Sequence, residues 1–67
     1  MLNMTKESRE FLLQNLPGAL SSDNIGDVLE MLYELIDAKG FAPPHYDEYN
    51  GFGREAQRVY DDLYLSN

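Results

Sequence analysis

SSDNIGDVLEMLYELIDAKGF, residues 21–41, is the stretch whose reading decides the fold. Its apolar residues Ile25, Val28, Leu29, Leu32, Leu35 and Ile36 recur at steps of three and four, the interval that returns a side chain to one side of an α-helix. Asp23, Asp27, Glu30, Glu34 and Asp37 follow the same steps out of phase. At about 100° per residue the carboxylates collect opposite the apolar stripe. The spacing therefore predicts a helix over about 22–39, oily on one face and anionic on the other. The remaining residues must cover the oily face.

Two starts compete for this helix. Ser21 is placed to accept a backbone N–H as N-cap, with Leu20 and Ile25 spaced as a hydrophobic staple. In a second frame Asn24 is the cap and Asp27 answers it three residues later. Gly26 costs up to ~1 kcal/mol against alanine inside a helix, so it signals either a close backbone contact or the late start. At the far end Gly40 is placed for the left-handed C′ position, with Phe41 folding back on Ile36, and Lys39 suits the negative end of the helix dipole.

Working outward towards the N-terminus, Thr5 reads as an N-cap with Glu7 in the first turn, opening a helix over about 5–15. Its stripe is Phe11, Leu12 and Leu16, with Ser8 a turn earlier and Leu13 to one side. Pro17 and Gly18 end it, and residues 16–20 make a connection short enough to leave the two helices as neighbours. Towards the C-terminus, Pro43 and Pro44 interrupt the helical pattern and Asn50-Gly51 is a turn dipeptide. A last helix follows over about 52–64, with Phe52, Ala56, Val59, Tyr60 and Leu63 on one face. A bent helix from His45 to Tyr64 is the alternative, opposed by Gly51 and Gly53. The expectation is one all-α domain, 1–67: a small three-helix, bundle-like unit with a Pro/Tyr-rich loop between helices two and three.

Sixty-seven residues bury only about 60% of the surface they expose when unfolded, leaving a net stability of ~3–5 kcal/mol. There is no cysteine to add a disulfide or a thiolate metal site. Twelve acids against five Lys and Arg give a net charge of −7, which repels nucleic-acid phosphate and anionic lipid. The apolar content of 43% is too high for a disordered acidic tail. No apolar run approaches the ~20 residues of a membrane span, and the N-terminus lacks the basic-then-apolar order of a signal peptide. The expected setting is the cytoplasm, without direct nucleic-acid or membrane binding.

Chemistry is sparsely represented. His45 is the lone imidazole, set between a proline pair and a tyrosine, and a solvated loop histidine accounts for it; no catalytic residue is expected. His45, Asp47 and Glu48 offer mixed ligands but no paired His or Cys completes a zinc set. DEYNGFG has some likeness to a calcium loop, yet Tyr49 and Gly51 stand where oxygen side chains are needed. No metal and no cofactor are expected.

Binding features remain. The carboxylates at 23, 27, 30, 34 and 37 are spaced by ~5–6 Å along one edge, comparable with phosphates on a nucleic-acid strand. A solvated helix face is the ordinary explanation for them. Tyr46 and Tyr49 flank a turn-rich loop, where a tyrosine ring buries area at little entropic cost; completing a small core is the ordinary role for such rings. The expected function is a small, acidic, non-catalytic adaptor or regulatory module. It binds a protein partner, basic in the strongest form of the reading, through Asp23, Asp27, Glu30, Glu34, Asp37, Tyr46 and Tyr49. The alternatives are a nucleic-acid-mimicking inhibitor of a basic protein, and a structural subunit or homodimer burying Met31, Leu35 and the 64–67 tail.

Overall fold

Three polar side chains start three helices. A computed structural model of the chain describes residues 2–43 and 48–67, and among these Thr5, Asn24 and Asn50 are the N-caps. Thr5 Oγ1 accepts from Ser8 N at 3.2 Å and opens α1 (Lys6–Asn15). Asn24 Oδ1 accepts from Asp27 N at 3.2 Å and opens α2 (Ile25–Lys39). Asn50 Oδ1 accepts from Gly53 N at 2.7 Å and opens α3 (Gly51–Ser66). Each bond satisfies a donor that the helix cannot pair for itself.

The late start of the central helix corrects the boundary expected at 22. Ser22 Oγ instead accepts from Asn24 N at 3.1 Å, and Ser22 and Asn24 are both extended ahead of the helix. Gly26 thus falls in the first turn, where a missing side chain costs least. The first and last helices match their expected ranges to within two residues, at 6–15 and 51–66. Residues 16–20 are more ordered than a bare connection: Pro17–Ser21 winds as a 3₁₀ helix, with proline at its start.

α3 packs against both α1 and α2, which meet through the 3₁₀ turn rather than directly as the short 16–20 connection suggested. A single apolar core joins them in an all-α bundle-like arrangement. α1 contributes Phe11 and Leu12, the 3₁₀ turn Ala19, α2 Val28, Leu32 and Ile36, and α3 Ala56, Val59 and Leu63. All but Ala19 belong to the stripes read from the periodicity. Leu29, Leu35, Phe52 and Tyr60 flank them half-buried. Leu13 lies off the stripe and is exposed. Phe11 and Phe52 meet at a centroid distance of 5.5 Å, joining α1 to the start of α3. In a domain of ~3–5 kcal/mol, truncating fully buried Leu32 to alanine, at about 2–5 kcal/mol, removes most of the stability.

Each end of α3 is tied to another part of the chain. At its start, the Asn50 side chain serves two helices: Oδ1 caps α3 while Nδ2 donates to Lys39 O, one of the last carbonyls of α2, at 2.8 Å. Asn50 N also donates to Gly40 O at 2.8 Å, and Ala42 N to Glu48 O at 2.8 Å. Phe41 and Tyr49 form an isolated antiparallel bridge across this junction. Gly40 does not take the left-handed conformation expected of it, having φ −91° and ψ 0°. What it supplies is bulk-free backbone for the approach of Gly53.

At the other end, Asp62 Oδ2 accepts from Thr5 N at 2.9 Å and from Ser8 Oγ at 2.6 Å, so α3 holds the N-terminus of α1. Asn3 and Asn67 exchange two further bonds, of 2.9 and 2.8 Å. The Ser8 hydroxyl and the Asp62 carboxylate are placed by each other, which is how a serine comes to occupy a buried position of α1.

Candidate protein-binding site

The residues expected to carry binding fall into four groups. Asp27, Glu30, Glu34 and Asp37 lie on α2 and are exposed. Helical geometry gathers them within about 80° of one another, centred opposite buried Val28, Leu32 and Ile36. Asp23 is exposed as well, but it precedes Asn24 and stands outside the helix. Tyr46 lies outside the described residues, as do His45 and Asp47, two of the three members of the mixed His45–Asp47–Glu48 ligand set. Among the described residues no group of three His, Cys, Asp or Glu is arranged to hold a metal ion.

Tyr49 is placed by three constraints. Its backbone bridges Phe41, its ring lies 5.1 Å from the Phe41 ring at 33°, and its hydroxyl donates to Gln57 Oε1 at 3.1 Å. Gln57 is fixed in turn, since its Nε2 donates to Asp61 Oδ1 at 3.0 Å, one turn along α3. Tyr49 is thereby set against α3, although it belongs to no helix.

The two features read separately from the sequence meet at this point. A recess of about 260 Å³ opens between α2, the segment that follows it and α3, lined by Tyr33, Ile36, Asp37, Phe41, Tyr49, Gln57 and Tyr60. Asp37, the last carboxylate of the acidic face, and Tyr49, the loop tyrosine, line the same opening. Ile36 is buried and Tyr60 half-buried, so they form its floor; Asp37 and Tyr33, the latter 66% exposed, stand at its rim. Tyr33 is not among the residues expected to carry binding, and its exposure shows that it does not complete the core. Its sequence signal is its place on α2 between the apolar stripe and the acids, where a ring has no core to complete.

A larger groove, of about 610 Å³, lies between the start of α1 and α3. Arg54 and Arg58 border it, but so do Glu7, Glu55 and Asp62, so the two cations are outnumbered by acids and no basic site results. Its most buried polar group, Ser8, is committed to Asp62. The Asp62 carboxyl is held below its ordinary value of 3.8, first by the Ser8 hydroxyl and then by the Thr5 N–H. Those bonds secure α1 rather than present chemistry to a ligand.

Among the described residues no helix is long and apolar enough to cross a membrane. Comparison with protein-family models, curated proteins and solved structures finds no match to this chain.

Proposed function

We propose that this chain is a small, non-catalytic adaptor or regulatory module that binds a basic partner protein. It does so through the exposed acidic face of α2 and the tyrosine-lined recess at its end. The observation that carries the proposal is the convergence of Asp37 and Tyr49 from separate elements on one opening. Four exposed carboxylates in line with that opening attract and orient a cationic surface. A ring already fixed by Phe41 and Gln57 loses little freedom on contact. The reading places the module in the cytoplasm, with which a cysteine-free chain agrees.

The second reading is a nucleic-acid mimic acting on a basic protein, favoured by the spacing of the α2 acids. Asp27, Glu30, Glu34 and Asp37 rise by about 4.5–6 Å per step along a single face. Retention of host proteins on the immobilised chain, at low and high salt, separates the two. The adaptor reading expects Tyr49→Leu to release a partner that Asp27→Asn, Glu30→Gln and Glu34→Gln together only weaken. The mimic reading expects the triple variant to abolish retention and Tyr49→Leu to leave it intact. A partner held equally by all variants contradicts both.

A further inference from the structure

We propose that the recess receives an arginine side chain of the partner, its guanidinium held among the rings of Tyr33, Tyr49 and Tyr60 and its charge met by Asp37. The inference rests on the protein-binding reading above and specifies the chemistry at its centre. At about 260 Å³ the recess is smaller than the ~300–1,000 Å³ typical of small-molecule sites, and it suits one long side chain.

The lining selects among side chains. An aliphatic one would ignore the Asp37 carboxylate and the tyrosine hydroxyl groups. A divalent cation wants six or more oxygen ligands, whereas among the described residues Asp37 is the single carboxylate lining the recess. A cationic side chain gains from the negative faces of the rings and from the carboxylate together. Between the two, lysine carries a strongly hydrated point charge, while guanidinium is planar, stacks on aromatic rings and meets a carboxylate with two parallel N–H groups. The Tyr49 hydroxyl, donating its hydrogen to Gln57, keeps lone pairs with which to accept from one of the remaining N–H groups.

The acidic face extends the recognition. Glu30 lies two turns before Asp37, a rise of about 10 Å along the helix. In a polyproline II peptide, with three residues per turn, two residues three apart lie on the same side, separated by nearly the same distance, about 9 Å. A basic segment laid along α2 with cations at positions i and i+3 thus places one arginine in the recess and the other charge at Glu30.

The test is titration of the isotopically labelled full chain by NMR with a blocked hexapeptide, Gly-Arg-Gly-Gly-Arg-Gly, and with its lysine and citrulline counterparts. The expected result is that the arginine peptide shifts the ring resonances of Tyr33, Tyr49 and Tyr60. The lysine peptide binds about fivefold more weakly and the citrulline peptide not measurably. Asp37→Asn and Tyr33→Leu, both at exposed positions, each weaken the arginine peptide by about fivefold, with the amide spectrum of the fold preserved. Equal binding of arginine and lysine peptides, with shifts confined to Glu30 and Glu34, overturns the arginine recess and leaves the acidic docking face standing. Failure of every cationic peptide to bind overturns the recess and the basic-partner reading together.

Discussion

Gly53 meets Gly40 backbone to backbone where α2 ends and α3 begins, with no room between them for a methyl group. A Cβ added to Gly53 would lie 2.8 Å from the Gly40 carbonyl carbon, and one added to Gly40 would lie 2.7 Å from Ile36 O. This contact sets the angle at which α3 leaves the junction, and with it the position of the recess beside it. Gly53→Ala is predicted to destabilise the chain by about 1–3 kcal/mol despite the better helix propensity of alanine. Gly51 is the control, since nothing lies within 4 Å of its added Cβ. Gly51→Ala is predicted to be neutral or stabilising by up to ~1 kcal/mol. Urea unfolding of both variants checks the pair, and equal stability would contradict the close approach.

The double role of Asn50 separates it from an ordinary cap. Asn24 caps α2 alone at an exposed position, so Asn24→Ala should cost about 1 kcal/mol. Asn50→Ala loses the α3 cap and the bond to the end of α2, and should cost about twice as much. Asn50→Asp keeps the acceptor but turns a carboxylate towards the Lys39 carbonyl, and should fall between Asn50→Ala and the parent. Thermal unfolding orders the variants; an Asn50→Ala no worse than Asn24→Ala would show that the junction is not shared.

The tie between α3 and α1 carries a pH signature. Asp62 is stabilised as a carboxylate by Ser8 and Thr5, so in the fold it binds its proton more weakly than in the unfolded chain. The stability it contributes is therefore complete above its unfolded value of about 4 and is lost as the pH falls through the lower folded value. Asp62→Asn should be less stable than the parent near neutral pH, with the difference narrowing below pH ~4. Unfolding measured from pH 7 to pH 3 reads this directly, and a gap that widened on acidification would refute it.

Charge on the acidic face is predicted to contribute little net to folding, since the gain from Asp27 in the first turn of α2 is offset by repulsion among the acids. Asp27, Glu30 and Glu34 are exposed and lie on a chain of net charge −7, so removing three negative charges relieves repulsion. The triple neutral variant should unfold within about 0.5 kcal/mol of the parent, or slightly above it. A marked loss of stability would show these carboxylates to be structural.

Periodicity carried most of the fold. Val28, Leu32 and Ile36, then Ala56, Val59 and Leu63, repeat often enough for their burial to be read along the chain. The start of α2 was harder because Ser21 and Asn24 are both competent caps, and only the 3₁₀ turn of Pro17–Ser21 uses up the first of them. Asn50 reads as a turn residue, since its second bond depends on where α2 ends in space. Ser8 looks like an interruption of the first stripe until Asp62 is placed beside it, 54 residues along. Asp37 and Tyr49 were legible individually, as an acid on a helix and an aromatic in a loop. Their meeting was not, because it is set by the Gly40–Gly53 contact and the bridge between Phe41 and Tyr49, neither of which has a period.

The most direct measurement is of the Tyr49 ring in the free protein by nuclear Overhauser spectroscopy. Seated as described, its protons show cross-peaks to the Phe41 ring and the Gln57 side chain, elements eight positions away in each direction. Cross-peaks to Glu48 and Asn50 alone would mean that the tyrosine is not held against α3, and the surface on which binding is proposed would not exist.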